Sequence, residues 1–271
     1  MTPATPTAQV DRRVIGAPAS LTFTPCDDSQ GTELTLAAEP APTVSVIDGA
    51  GEEVHAGAAT ISADEHSLSA TIPSDDLPEL DAYLVRWSAT AAGVPYVWTT
   101  SLEICGGHLF TLAAMRASRS EFASLPAEQL LAARTLAEAR FEEECKVAFV
   151  PRGARERLRG DGSSTLLLDR VAIREVIALA LDGAPWSAEQ IAALTAEEAG
   201  ILRREDGWPV GAVVDVHYAH GYDRPEAPVT DAALRLAREY AFPDSRLPPR
   251  AVLQTTEYGS FRLATPGRDG A

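Results

Sequence analysis

The sequence predicts an α+β protein in which an immunoglobulin-like β-sandwich precedes a helical domain with a β-rich insertion and an extended C-terminal arm. Short segments that alternate apolar and polar residues, separated by turn signals, fill residues 20–103. Helical spacing begins only later, in a long segment after Ser124 and another near Thr230. Residues beyond Phe242 are rich in Pro and Gly and have no helical period.

Length and composition fit a folded protein of this kind. The chain has 271 residues, of which 45% are hydrophobic and 23% charged, so we expect packed cores. We predict a flexible arm over residues 1–18, the sandwich over 19–106, the helical domain over 107–242 and the C-terminal arm over 243–271. No apolar run reaches the roughly 18 residues of a membrane helix, and the N-terminus does not read as a secretory signal. We interpret Cys26, Cys105 and Cys145 as reduced thiols of a protein made inside the cell.

The net charge is −16 and is unevenly distributed. Residues 1–109 carry 3 basic and 15 acidic side chains, whereas residues 110–271 carry 20 basic and 24 acidic side chains. Because nucleic-acid affinity comes largely from neutralised phosphates, this balance argues against a protein that grips DNA. An acidic wall that repels DNA remains compatible with it.

The sandwich is predicted from strand-like segments at residues 20–25, 32–38, 43–48, 66–73, 82–91 and 95–104. Trp87 and Trp98 fall near the middle of the last segments, where we interpret them as core aromatics. An alternative is a glycan- or host-surface-binding module that uses Trp87, Trp98 and Tyr96 as a platform. Exposure of these rings would favour the alternative, and burial would argue against it.

Helical spacing predicts a short helix over residues 110–116 and a long one that Ser124 caps. The long helix should bury one face and place Glu138 and Glu142–Glu144 elsewhere. The residues of the buried face are Leu130, Ala133, Ala137, Phe141, Cys145 and Ala148.

The β-rich insertion begins with an arginine-dense segment and the turn at residues 160–162. Strands are predicted at residues 164–168, 173–181, 200–204 and 210–218, with a short helix that Ser187 caps before the third strand. Pro225 and Pro228 then predict a turn. Thr230 or Asp231 should cap a final helix that places Leu234, Ala237 and Ala241 on one face.

No segment predicts catalysis or cofactor binding. His217 and His220 are three residues apart, and on a strand such side chains point to opposite faces rather than share a metal. The glycines near Asp161 lack the Lys of a phosphate-binding loop and precede a strand. The carboxylates beside Cys145 disfavour the thiolate that a nucleophile needs. We therefore predict no catalytic, cofactor-binding or metal-binding residues. A hydrolase would require His217 or His220 to meet carboxylates in a pocket.

The densest basic patch consists of Arg152, Arg155, Arg157 and Arg159. It could contact DNA. In an acidic chain, we favour pairing with carboxylates of a neighbouring subunit or partner.

Residues from about 110 to 271 resemble the head-to-tail adaptor, or connector, proteins of tailed bacteriophages. The features occur in a fixed order: LAARTLAEARFEEECKVAFVPRG, a Gly-Asp-Gly turn, a strand ending Leu-Leu-Leu-Asp and the strand VIALALDG. The segment GILRREDGWPVGAVVDVHYAHGYDRPEAPVTDAALRLAREYA follows, and then the arm PRAVLQTTEYGSFRLATPG. The predicted sandwich lies outside the resemblance.

The resemblance implies a virion structural protein at the head–tail junction, made in the host cytoplasm, and not an enzyme. Such proteins form a ring of twelve copies under the portal, receive the next neck, stopper or tail component and surround DNA without binding it specifically. No membrane contact is expected. We predict interfaces at Arg152, Arg155, Arg157 and Arg159, at residues 160–185, and in the arm at Arg250, Tyr258 and Phe261.

Overall fold

The computed structural model describes residues 10–26, 32–242, 253–256 and 259–262 of a mixed α+β chain. Packing groups Met1–His108 with Cys145–Pro225 as one compact unit, the β unit. It groups Leu109–Glu144 with Glu226–Ala271 as another, the helical unit. This division places the β-rich insertion with the sandwich, whereas the sequence predicts one domain over 107–242. The domain that the sequence predicts over residues 107–242 remains a prediction.

Several of the N-terminal strands alternate buried with more exposed residues, as a sandwich requires. They are β1 Val10–Val14, β2 Ala19–Phe23, β3 Leu36–Ala37, β4 Thr43–Ile47, β5 Glu53–Ala58, β6 Thr60–Ile61, β7 Leu68–Ile72, β8 Ala82–Ala91 and β9 Val94–Cys105. One sheet has the order β1-β9-β8-β4-β5, with β3 also paired to β8, and the other has the order β2-β7-β6. A 3₁₀ helix at Ser74–Asp76 connects the sheets.

The sandwich core contains Trp87 and Trp98, which are 1% and 6% exposed. Phe23 stacks on Trp87 with ring centroids 6.0 Å apart, and the Trp87 Nε1–H donates to the Thr100 hydroxyl at 3.1 Å. The prediction of core aromatics is confirmed. The register Trp87↔Trp98 places both rings inside the sandwich, because residues directly opposite one another in a sheet share a face.

The prediction of a flexible arm through residue 18 is wrong from Val10 onward. β1 pairs in parallel with β9 from Val10↔Ser101 to Val14↔Cys105. The Arg12 guanidinium donates to Glu103 at 2.7 Å and adds an ion pair to the ladder. Parallel pairing with a strand about 90 residues away leaves no local signal, so sequence periodicity could not find it.

The insertion forms its own sheets. Its strands and helix are β10 Arg152–Arg159, β11 Thr165–Leu167, β12 Ile173–Leu181, β13 Ala184–Pro185, α3 Ala188–Ala192, β14 Thr195–Glu197, β15 Ile201–Arg203 and β16 Val213–His220. One sheet has the order β10-β16-β12-β13, and the other has the order β11-β15-β14. Ser187 caps α3 in a capping box with Gln190, which confirms the predicted cap.

The helices are α1 Leu112–Ser118, α2 Ala127–Cys145 and α4 Ala227–Ala241, with a 3₁₀ helix at Ser120–Ser124. Ser124 ends that 3₁₀ helix and its hydroxyl donates to the Glu121 carbonyl, so its predicted role as the cap of α2 is wrong. The buried face of α2 includes Leu130, Ala133 and Ala137 as predicted.

Other predictions for these helices need correction. Cys145 is exposed because α2 ends there, whereas Glu138 is fully buried and accepts the Leu109 N–H at 2.8 Å. The cap of α4 is Glu226 rather than Thr230 or Asp231. Pro228 lies in the first helical turn, where its missing N–H costs nothing, so it does not exclude a helix.

At the C-terminal end, β17 Leu253–Thr256 pairs with β18 Gly259–Arg262. Both strands lie within the segment that the sequence predicts to be an extended arm. Within the described ranges, no helix combines the length and apolar character needed to cross a membrane.

Candidate interface site

Strand β10 carries the arginine patch, and its pleat divides the patch between two faces. Arg155, Arg157 and Arg159 are two residues apart and share one face, while Arg152 lies on the other. The sequence predicts no strand over this segment. Antiparallel pairing with β16, from Arg152↔His220 to Arg159↔Val213, makes it one.

Three arginines of the patch lie next to carboxylates of this same chain. The Arg155 guanidinium donates to Asp81 through Nε at 2.9 Å and lies 2.8 Å away through Nη2. Arg157 contacts both oxygens of Asp215 at 2.7 and 3.1 Å. Arg152 is 3% exposed and its Nε lies 3.5 Å from Glu103. The expectation that carboxylates of another subunit pair with the whole patch therefore changes, because this chain already supplies partners.

The exposed fraction of each arginine shows whether its guanidinium can still contact another molecule. Arg157 is 76% exposed despite its pair with Asp215, and Arg159 is exposed, with Nη1 donating to the Gly211 carbonyl at 3.4 Å. Arg152 and Arg155 are largely enclosed. Among the four arginines of the patch, Arg157 and Arg159 at the outer end of β10 have the exposed guanidinium groups.

The inner end of the same face meets the sandwich. The His217 Nε2 lies 3.0 Å from the Leu80 carbonyl, which it faces as a donor, and Nδ1 lies 3.4 Å from the Glu79 carboxylate. His217 thus meets carboxylates from the sandwich, as the hydrolase hypothesis requires. Its side chain is 2% exposed, however, and its Nε2 is taken up by the Leu80 backbone carbonyl.

His220 lies on the other face of β16, which confirms that it and His217 point apart. Burial, followed by repulsion from Arg170 and Arg152, lowers the pKa of His220 to about 4. In the described part of the chain, no group of three or more His, Cys, Asp or Glu side chains is placed to bind a metal ion.

On the opposite face of β10 from Arg155, Glu156 is partly buried. It accepts a hydrogen bond from the Tyr218 hydroxyl and from the Asp169 N–H. Burial and the adjacent Glu156 carboxylate raise the pKa of Tyr218. The Tyr218 hydroxyl therefore keeps its proton and donates it in the hydrogen bond to Glu156.

The aromatic platform of the alternative hypothesis is not formed at the surface. Trp87 and Trp98 are buried, and Tyr96 is half-buried, stacked on Trp98 at 5.3 Å between ring centroids. The exposure that would favour a glycan-binding module is therefore missing from these rings. Arg250 and Tyr258 lie outside the described residues, as does the side chain of Phe261.

Sequence reasoning did not find the sandwich residues that complete this region: Gly49, Leu80 and Asp81. They are separated from β10 by 70 residues or more. A lone Asp at the start of a strand gives no signal of an ion pair so distant in sequence.

No protein-family model matches the sequence, and no curated protein matches it. Among solved structures, the neck of an empty gene transfer agent particle computed with C6 symmetry is similar at 20% identity and a TM-score of 0.42. That match covers 53% of this chain and 82% of the other. A chain of the virion of a native gene transfer agent particle is similar at 21% identity and a TM-score of 0.41, covering 56% and 84%.

The crystal structure of CopC from Methylosinus trichosporium OB3b is similar at 16% identity and a TM-score of 0.24. It covers 36% of this chain and 86% of CopC. None of these TM-scores reaches 0.5. The likenesses alone do not establish a shared fold.

Proposed function

We propose that this chain is a structural protein of a phage-like neck, an adaptor whose copies form a ring between the portal and the next neck, stopper or tail component. The proposal extends the resemblance of residues 110–271 to head-to-tail adaptors. Its role is assembly rather than catalysis, and its place is the virion at the head–tail junction.

The arrangement of the helices carries the proposal. The chain leaves the helical unit at the end of α2, builds the β-rich insertion and returns with α4. Within the helical unit, the Gln129 side chain donates to the Ala241 carbonyl at 2.9 Å, and Thr230 donates to the Leu109 carbonyl at 3.1 Å. The helices before and after the insertion in sequence thus pack together as one unit. This is the order of elements that carries the resemblance to the adaptor proteins.

Charge supports a ring that encloses DNA without holding it. The chain carries a net charge of −16. A closed ring of such copies would present a negative lumen to phosphates and would favour sliding over adhesion. We propose twelve copies, following the adaptor resemblance.

Contacts between copies or with neck partners are proposed at the outer end of β10, at residues 160–185 and in the C-terminal arm. On β10, Arg157 and Arg159 are the exposed members of the patch. In the arm, Arg250, Tyr258 and Phe261 remain the proposed contacts with the portal or a neighbouring copy.

The test is reconstitution with the cognate portal, followed by mass photometry and electron microscopy. We expect a ring on the portal. The double substitution Arg157→Glu and Arg159→Glu should weaken ring assembly at least tenfold. Arg203→Glu is the matched control, because Arg203 is an exposed arginine paired within its own sheet to Glu197. A protein that stays monomeric and never binds portal would contradict the proposal.

A further inference from the structure

The contact between the sandwich and the insertion, both within the β unit, contains buried charge. Asp81 is 3% exposed and lies immediately before β8. Its carboxylate accepts the Arg155 guanidinium from β10, and it also accepts the Gly49 N–H at 3.2 Å and the Ala82 N–H at 2.9 Å. Two backbone N–H groups of the sandwich and one guanidinium of the insertion thus hold this carboxylate in position.

The backbone at this contact is closer than any side chain would allow. A Cβ added to Gly153 would lie 1.8 Å from the Leu80 carbonyl oxygen. A Cβ added to Gly49 would lie 2.6 Å from Cδ of Arg155. Gly153 therefore permits the insertion strand and the sandwich to touch through their main chains, whereas Gly49 leaves room for the Arg155 side chain.

Hydrogen bonds cross the contact as well. The His217 Nε2 faces the Leu80 carbonyl at 3.0 Å, and the Gly106 N–H donates to the Pro151 carbonyl at 2.8 Å. Burial alone would lower the pKa of Arg155, but its bond with Asp81, together with the charges of Asp81, Asp48 and Glu79, raises it. Pairing thus outweighs desolvation at this arginine.

We propose that Gly49, Asp81, Gly153, Arg155 and His217 form a rigid joint, the sandwich joint, which holds the sandwich in one orientation on the insertion. The sandwich is then an integral part of the β unit and not a tethered surface module. This inference does not depend on the proposed neck function. If the copies do form a ring, which rests on that function, each ring would display its sandwiches at one fixed angle.

Neighbouring arginines of β10 provide a matched test in the full-length protein. Arg155 pairs with the sandwich residue Asp81, whereas Arg157 pairs with Asp215 in its own sheet and is exposed. Amide hydrogen exchange of Gly106 reports the joint, because this N–H donates across it to Pro151. We expect Arg155→Gln to speed this exchange at least tenfold and Arg157→Gln to change it less than twofold.

Gly153→Ala is the second variant, since it removes no charge. We expect it to speed Gly106 exchange as Arg155→Gln does. Tryptophan fluorescence should stay native in both variants, because the sandwich contains buried Trp87 and Trp98 and the insertion contains buried Trp208. Wild-type Gly106 exchange in both variants would overturn the proposal. Unfolding of the whole chain by Arg155→Gln would also overturn it, because Arg155 would then belong to a common core.

Discussion

At the scale of single residues, His220 shows how burial determines when a side chain can carry charge. It is 6% exposed at the end of β16, with the Tyr218 ring 5.9 Å from its own. Arg170 and Arg152 act on it with the same sign of charge, against a smaller opposite effect of Glu103. These surroundings favour the neutral imidazole.

The free energy of unfolding should therefore fall as the pH falls from about 6.5 to about 4. Above 6.5, His220 is neutral in both the folded and the unfolded chain. Between these values the unfolded chain binds a proton that the folded chain does not, because the pKa falls from 6.5 to about 4 on folding. Urea unfolding of the wild type and of His220→Gln across this range measures the effect. The difference between them should change with pH, and parallel curves would contradict the account.

Glu138 makes a second prediction at this scale. It is fully buried in α2 and accepts the Leu109 N–H, which is itself buried. Glu138→Leu should lower the free energy of unfolding by about 1–3 kcal/mol, because a buried N–H loses its acceptor. Glu143→Leu is the control on the same helix: its pair with Arg140 is exposed and should contribute about 0–1 kcal/mol. Equal losses in the two variants, measured by urea unfolding, would show that Glu138 has no such role.

At the scale of elements, close packing of small residues distinguishes the faces of α4. Ala233, Ala237 and Ala241 are buried, whereas Ala232 on the same helix is exposed. Ala237→Leu should destabilise the protein by about 1–3 kcal/mol, since the added atoms must displace neighbours. Ala232→Leu adds the same atoms at the surface and should change stability by less than about 0.5 kcal/mol. Thermal unfolding followed by helical circular dichroism would distinguish them, and a tolerant Ala237 would argue against tight packing there.

Elements with strong local patterns could be predicted from sequence. β12 spans Ile173–Leu181 as expected, because apolar residues and the following turn define it, and α3 has its predicted cap. β1 and β10 could not be predicted. β1 depends on a distant parallel partner, and β10 has arginines where a strand usually has apolar residues. The start of α4 was placed too late because Pro228 was treated as a breaker rather than as a first-turn residue.

At the scale of the whole molecule, the sequence predicts only part of the candidate site. Sequence located the arginine patch, but not which arginines remain available, because that depends on Asp81 and Asp215. Side-chain direction along a strand follows from the pleat once the strand is known. The pleat does not show which residues far apart in sequence contact one another. The contacts of the sandwich joint are of this kind, so the sequence does not predict them.

The unequal charge along the chain also acts at this scale. Residues 1–109 hold 15 acidic and 3 basic side chains, so sandwiches of adjacent copies should repel one another in a ring. We expect ring assembly to strengthen at least threefold between 50 and 300 mM salt, because screening shortens the reach of this repulsion to about one Debye length. Mass photometry across a salt series measures this. Assembly that weakens over the same salt range would contradict a dominant repulsion between the sandwiches of adjacent copies.

The central claim, that the chain is a structural neck adaptor, is tested most directly by electron microscopy of the purified full-length protein mixed with its cognate portal. The account predicts a closed ring of copies seated on the portal with an open lumen, and no such ring with the Arg157→Glu, Arg159→Glu variant at the same concentration. Persistent monomers that leave the portal bare would contradict it.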